Sequence, residues 1–180
     1  VSTLNALQLT PASYISFLVL YRYYDRRYQA LFGNAFSQGS TVQNEQGVYM
    51  GFQLTPIARW KLSVYADLFR FPWLKYGIDA PSGGQEYMAQ IDYTPSRNYS
   101  AYLRYKYRQK EKNGTFENDN LLKINTCKQH RIRFQQVYNF SSPFIFKTSL
   151  DGILFDDPIK KLNKGIMISQ SIGWKPTTLP

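Results

Sequence analysis

The chain has 180 residues, a formal net charge of +10 and a mean hydropathy of -0.42, with 43% hydrophobic and 17% aromatic residues. That length suits one domain with a closed core or barrel, and the apolar content excludes a disordered chain. No run approaches the roughly 18 consecutive apolar residues of a membrane-crossing helix, and the single cysteine, Cys127, excludes an internal disulfide framework and a cysteine-based zinc cluster.

The first residues, VSTLNALQLTPAS, lack the basic start and long apolar run of a signal peptide; if the protein is exported, this chain is a mature or excised piece. LTPASY at 9–14 is the first of five related breaks, followed by LTPIARW at 54–60, YTPSRNY at 93–99, FSSPF at 140–144 and KPTTLP at 175–180. Proline fixes its own torsion and cannot donate to a strand ladder, so the repeated element reads as a tight turn.

Strands are expected between the breaks. One runs over about 14–24, and a long polar connection over 25–45 follows, with a possible turn in YQALFGNAF. VYMGFQL (48–54) sets Val48, Met50, Phe52 and Leu54 against Tyr49, Gly51 and Gln53. WKLSVYADLF (60–69) sets Trp60, Leu62, Val64, Ala66 and Leu68 against Lys61, Ser63, Tyr65, Asp67 and Phe69. This period of two predicts a hairpin across the second break. A second long connection at 70–85 leads to the hairpin of YMAQIDY (87–93) and YSAYLRYKYR (99–108), where Ser100, Tyr102, Arg104, Lys106 and Arg108 oppose Tyr99, Ala101, Leu103, Tyr105 and Tyr107. After the connection at 109–129, RIRFQQVYNF (131–140) and FIFKTSLDGIL (144–154) predict a third hairpin, with Arg131, Arg133 and Gln135 opposite Ile132, Phe134 and Tyr138. DDPIKKLNK (156–164) then joins a last strand at 166–174.

The expected fold is all-β: an antiparallel meander of about nine strands forming a transmembrane β-barrel or a segment of one, with 1–180 as a single domain or segment of a longer chain. Short joins at the breaks alternate with long polar ones, which is the pattern of periplasmic turns and extracellular loops. From Trp60 to Phe69, at about 3.3 Å per residue and a tilt near 40°, a strand climbs roughly 23 Å, close to the ~25 Å apolar band of such barrels. Tyr14, Trp60, Tyr99 and Phe144 follow the short turns and Trp174 precedes the last break, so these five are expected to form an aromatic girdle at one interface, with Tyr107, Tyr23 and Trp73 near the other. The competing reading is a soluble β-barrel or sandwich whose apolar face is its core.

The stretch from YRYYDRRYQALFGNAF through VYMGFQLTPIARWKLSVYADLF to GIDAP, with YTPSRNYSAYLRYKYRQKEKN and GIMISQSIGWKP, resembles the barrel region of Bacteroidetes proteins that carry an N-terminal helix-hairpin-helix segment. The resemblance covers most of 14–180 and implies an outer-membrane β-barrel and an exported precursor. It implies no activity for individual residues. The chain departs from that pattern in having no visible helix-hairpin-helix and in ending at KPTTLP rather than in a strand with a terminal aromatic, so it is similar to an internal piece. An odd strand count agrees, since single-chain bacterial barrels close with an even number.

Little in the sequence promises catalysis. His130 is the only histidine, placed at a loop-to-strand junction without convergent partners. Asp156–Asp157 and Glu117-Asn118-Asp119 offer oxygens but not the spaced ligands of a calcium loop. Nucleotide-binding and hydrolase motifs are absent, and Cys127 falls in the third long connection. No enzyme activity, metal or cofactor is expected. The functional candidates are the cations Arg104, Lys106, Arg108, Arg131 and Arg133, which period two places together on the face opposite the apolar residues. Such a wall would favour anions in a pore or hold an anionic plug. Three readings follow: an outer-membrane channel or transport barrel; a non-conducting outer-membrane scaffold or assembly component; and a soluble β-barrel ligand binder. The expected partners are membrane lipids or lipopolysaccharide and outer-membrane or periplasmic proteins. The spread of Lys and Arg along the chain argues against nucleic acid.

Overall fold

In the computed structural model, which describes residues 1–29, 35–114, 123–139, 143–158 and 162–174, the chain is one nine-stranded antiparallel sheet in the order of the sequence. The strands are β1 (Ser2–Ala12), β2 (Ile15–Tyr24), β3 (Glu45–Ile57), β4 (Trp60–Phe71), β5 (Ser82–Ser96), β6 (Tyr99–Gly114), β7 (Lys123–Asn139), β8 (Phe144–Asp156) and β9 (Asn163–Trp174). There is no helix among the described residues, and β1 and β9 do not pair with each other, so the sheet is open, consistent with a segment of a barrel.

The prolines of the first three breaks do not sit in the turns themselves. Pro11, Pro56 and Pro95 lie inside β1, β3 and β5, at register shifts between Leu9 and Ala12, Leu54 and Ile57, and Tyr93 and Ser96. A residue without an N–H costs nothing where the ladder already slips, and the shift lets a two-residue turn follow. Arg59, the second residue of the β3–β4 turn, has φ 80°, the torsion that a type II turn requires there. The turns are also tied sideways: Thr55 N donates to Tyr14 O at 2.8 Å, Thr94 N to Arg59 O at 2.8 Å and Asn139 N to Asn98 O at 2.7 Å. Residues 140–142 and 175–180, which carry most of the last two breaks, lie outside the described residues.

Several elements run longer than alternation predicts. β6 and β7 extend to Gly114 and from Lys123, so most of the expected connection at 109–129 is strand, and Cys127 and His130 are strand residues rather than loop or junction residues. Charged and polar residues hid the strand there, because backbone pairing with the neighbouring strand decides it and not an apolar face. The YQALFGNAF segment includes 30–34, outside the described residues.

The two faces differ as period two requires. Val48, Phe52, Leu62, Val64 and Phe146 are partly exposed and Leu103 is 49% exposed, because nothing packs against the apolar face of this single layer. Buried strand residues lie on the polar face: the charged and polar Arg22, Glu45, Asp67, Glu86, Ser149 and Asp151, and beside them the few buried apolar ones, Tyr24, Phe69, Phe71 and Cys127. That is the reverse of a soluble β-core.

The 25–44 and 72–81 connections are clamped together by Asn44. It adopts φ 54°, and its side chain accepts from Trp73 N at 2.9 Å and donates to Trp73 O at 2.7 Å. Asn tolerates the left-handed region better than other side chains. Asn44→Ala should cost about 2–4 kcal/mol, from strained torsion and unsatisfied backbone groups. Asn44→Gly, which keeps the torsion and loses only the amide, should cost less. Chemical unfolding of the two variants measures the difference, and hydrogen exchange at the Trp73 amide reports the clamp itself.

Candidate functional site: a cation-rich polar face

The structure brings all five sequence-derived cations to one face of two paired strands. Arg104 lies directly opposite Arg133 across β6 and β7, and Lys106 opposite Arg131, while Arg108 is opposite Gln129. Like charges facing each other across a ladder destabilise it, and each side chain leans toward a flanking acceptor. On the β8 side, Asp151 takes Arg133 Nη2 at 2.7 Å and Arg131 Nε at 3.2 Å. On the β5 side, Glu86 forms ion pairs with Lys106 Nζ at 2.9 Å and Arg108 Nε at 3.2 Å, and accepts a hydrogen bond from Tyr65 Oη at 2.6 Å. Arg104 Nε donates to Gln90 Oε1 at 2.6 Å, and Gln90 Nε2 in turn donates to Asp92 at 2.6 Å.

A second ionic group stands beside the first. Arg22 of β2 donates through Nε to Glu45 and through Nη1 to Asp67 Oδ1 at 2.8 Å, and all three side chains are excluded from solvent. Gly47 makes room for it: a Cβ there would lie 2.6 Å from Arg22 Cζ. Phe36 covers the guanidinium, its ring centroid 5.0 Å from Cζ.

The connection after β2 reaches across the polar face from this group. Ser37 Oγ donates to Glu45 Oε2 at 2.6 Å, and Gly39 N to the same oxygen at 3.1 Å. Gln38 then links the two ionic groups, donating to Asp67 Oδ2 at 2.7 Å and accepting from Arg108 Nη2 at 2.8 Å, while its carbonyl takes Lys110 Nζ at 2.9 Å. Nearby, Lys75 rests on the Phe71 ring at 3.3 Å, and burial pushes its pKa down.

The aromatic residues fall into two rows on the apolar face. At the short-turn end, Trp60 pairs with Tyr93 at 4.4 Å between centroids and Tyr99 with Tyr138 at 6.3 Å. Phe144 and Trp174 are Cα partners there, 45% and 64% exposed. Tyr14 is the second residue of the first turn and is 52% exposed. At the other end Tyr87 stacks on Tyr107 at 6.2 Å, and Tyr107 meets His130 at 4.9 Å. Tyr23, opposite Gln46, faces the same way, whereas Trp73 belongs to the 72–81 connection, its ring 4.9 Å from Arg26 Cζ. From Tyr99 to Tyr107 the rows are roughly 20 Å apart, at about 3.3 Å per residue and a tilt near 40°. His130 Nδ1 lies 2.8 Å from Tyr105 Oη on this face.

Sequence reading missed Arg22, Glu45 and Glu86. Glu45, the first residue of β3, and Glu86, inside β5, precede the alternation that was read from Val48 and Tyr87 onward. Arg22 interrupts the otherwise apolar and aromatic ISFLVLYRYY, which was the available signal. The aspartates of the polar face divide: Asp151 pairs with the wall, Asp67 pairs with Arg22, and Asp92 reaches the wall only through Gln90. Among the described residues no three His, Cys, Asp or Glu side chains converge on a possible metal position.

Fold and site define an all-β, single-layer antiparallel meander with an ionic polar face and an apolar face framed by aromatic rows. Comparison with protein-family models, curated proteins and solved structures gives no match.

Proposed function

We propose that the chain is part of a bacterial outer-membrane β-barrel with a channel or transport-like role, its polar face lining a cationic interior. One observation carries the reading: in a single sheet layer, charged groups are buried and ion-paired on one side while the other side presents an uncovered aliphatic band between two aromatic rows. A bilayer supplies the missing cover for such a face, and tyrosine and tryptophan favour its two interfaces. The likeness of 14–180 to the barrel region of Bacteroidetes helix-hairpin-helix proteins agrees with it. Lipid or lipopolysaccharide would contact the aliphatic band, and outer-membrane or periplasmic proteins would be further partners; no catalysis is proposed.

Planar-bilayer recording of the full-length protein tests the channel. A preference for anions is expected, weakened or inverted by Arg104→Glu and by Arg133→Glu; cation selectivity, or indifference to both reversals, would remove it. A second reading, a barrel that conducts nothing and serves as scaffold, is favoured by the 35–39 segment lying across the polar face, tied to Glu45, Asp67 and Arg108. Absence of conductance in a protein that inserts into bilayers would select it.

A further inference from the structure

Among the described residues, the five cations of the β6–β7 wall have two carboxylates in direct contact, Glu86 and Asp151, and both lie to the sides of the seam. The seam itself is made of two successive like-charge rungs, Arg104 with Arg133 and Lys106 with Arg131. Between strands, opposed residues stand about 5 Å apart, and residues two apart along a strand about 7 Å. The rungs thus form a small rectangle of positive charge. A cleft of about 100 Å³ opens at its upper rung, lined by Lys106, Arg108, Gln129 and Arg131, with no carboxylate in its lining. The groups are not spent by burial: Arg131 is 43% and Arg133 30% exposed.

We propose that this seam is a binding site for a diphosphate-type oxyanion, one phosphoryl group on each rung. The inference rests on the proposed reading of the polar face as a solvent-filled interior and names the ligand class for that site. Paired cations across a rung suit the several equatorial oxygens of a phosphoryl group, and guanidinium forks give charge-assisted, directional hydrogen bonds to them. Four long cationic side chains on two rungs can converge on the outer oxygens of a diphosphate and offer it more charge-assisted contacts than a lone monoanion can use. The ligand would also relieve the like-charge repulsion that the ladder register imposes.

The test is calorimetric titration of inorganic diphosphate into the full-length protein folded in detergent micelles, with orthophosphate and chloride as comparison anions. Saturable binding of one diphosphate per chain is expected, tighter than orthophosphate and weakened about tenfold by Lys106→Gln or Arg133→Gln, as for removal of one charge-assisted contact. Lys147→Gln, on the same face of β8 but off both rungs, should bind as the unaltered protein does. On the unaltered protein, diphosphate should also protect Lys106 but not Lys147 from amine acylation read by mass spectrometry, a result that needs no variant to fold. Lack of binding, equal affinity for chloride, or acylation of Lys106 unchanged by diphosphate would overturn the site. Flotation of the protein with phospholipid vesicles separates this from the barrel reading: a protein that floats but does not bind loses only the site, and one that binds but does not float loses the barrel.

Discussion

Arg22→Met is expected to lower folding stability by about 3–5 kcal/mol, the cost of leaving buried carboxylates without their cation. Glu45 and Asp67 are both closed to solvent, and Arg22 bonds to each. Neutralising the whole group, with Glu45→Gln and Asp67→Asn added to Arg22→Met, should recover a large part of the loss, because no uncompensated charge remains. Recovery should be incomplete, since Glu45 also accepts from Ser37 and Gly39 and an amide holds those donors less strongly. Gly47→Ala should perturb the same group sterically, through the 2.6 Å approach of its Cβ to the Arg22 guanidinium. Urea titration of protein refolded into lipid vesicles measures all of these. A loss under about 1 kcal/mol for Arg22→Met, the scale of an exposed pair, would show that the triad is not the anchor its burial indicates.

Leu103→Arg is expected to cost about 2–4 kcal/mol in a bilayer, the value for a cation near the midplane of a barrel's lipid face. Leu103 lies midway along β6 between Tyr99 and Tyr107 of the two aromatic rows and is 49% exposed. Ser63→Arg is the matched control. Ser63 stands opposite Gln53 and Gln90 on the polar face and lines an open cleft of about 240 Å³, where a cation stays solvated. Its cost should stay below about 1 kcal/mol, as for ordinary surface substitutions. Refolding yield and unfolding midpoint in vesicles, compared between the two variants, decide the matter. A loss below about 1 kcal/mol for Leu103→Arg as well would mean that both faces meet water, and the membrane reading would fall.

The alternation of WKLSVYADLF and YSAYLRYKYR decides by itself that these segments are strands and which side chains share a face, because side chains on a strand repeat every two residues. That is why the all-β meander and the common face of Arg104, Lys106, Arg108, Arg131 and Arg133 are legible in the sequence. Strand ends were less so. Residues 109–114 and 123–129 have no apolar period, and only pairing of β6 with β7 makes them strand. Register was not legible at all. Which cation faces which depends on the register of β6 on β7, and the flanking carboxylates on the β5–β6 turn with its slip at Pro95 and on the register of β7 on β8, so the like-charge rungs and the flanking positions of Glu86 and Asp151 are facts of the tertiary structure. The Arg22–Glu45–Asp67 group and the crossing of Gln38 to Arg108 join residues 23 to 70 positions apart. Local pattern carries no information at that range: a period names the face of a residue, and only the folded sheet chooses its neighbour.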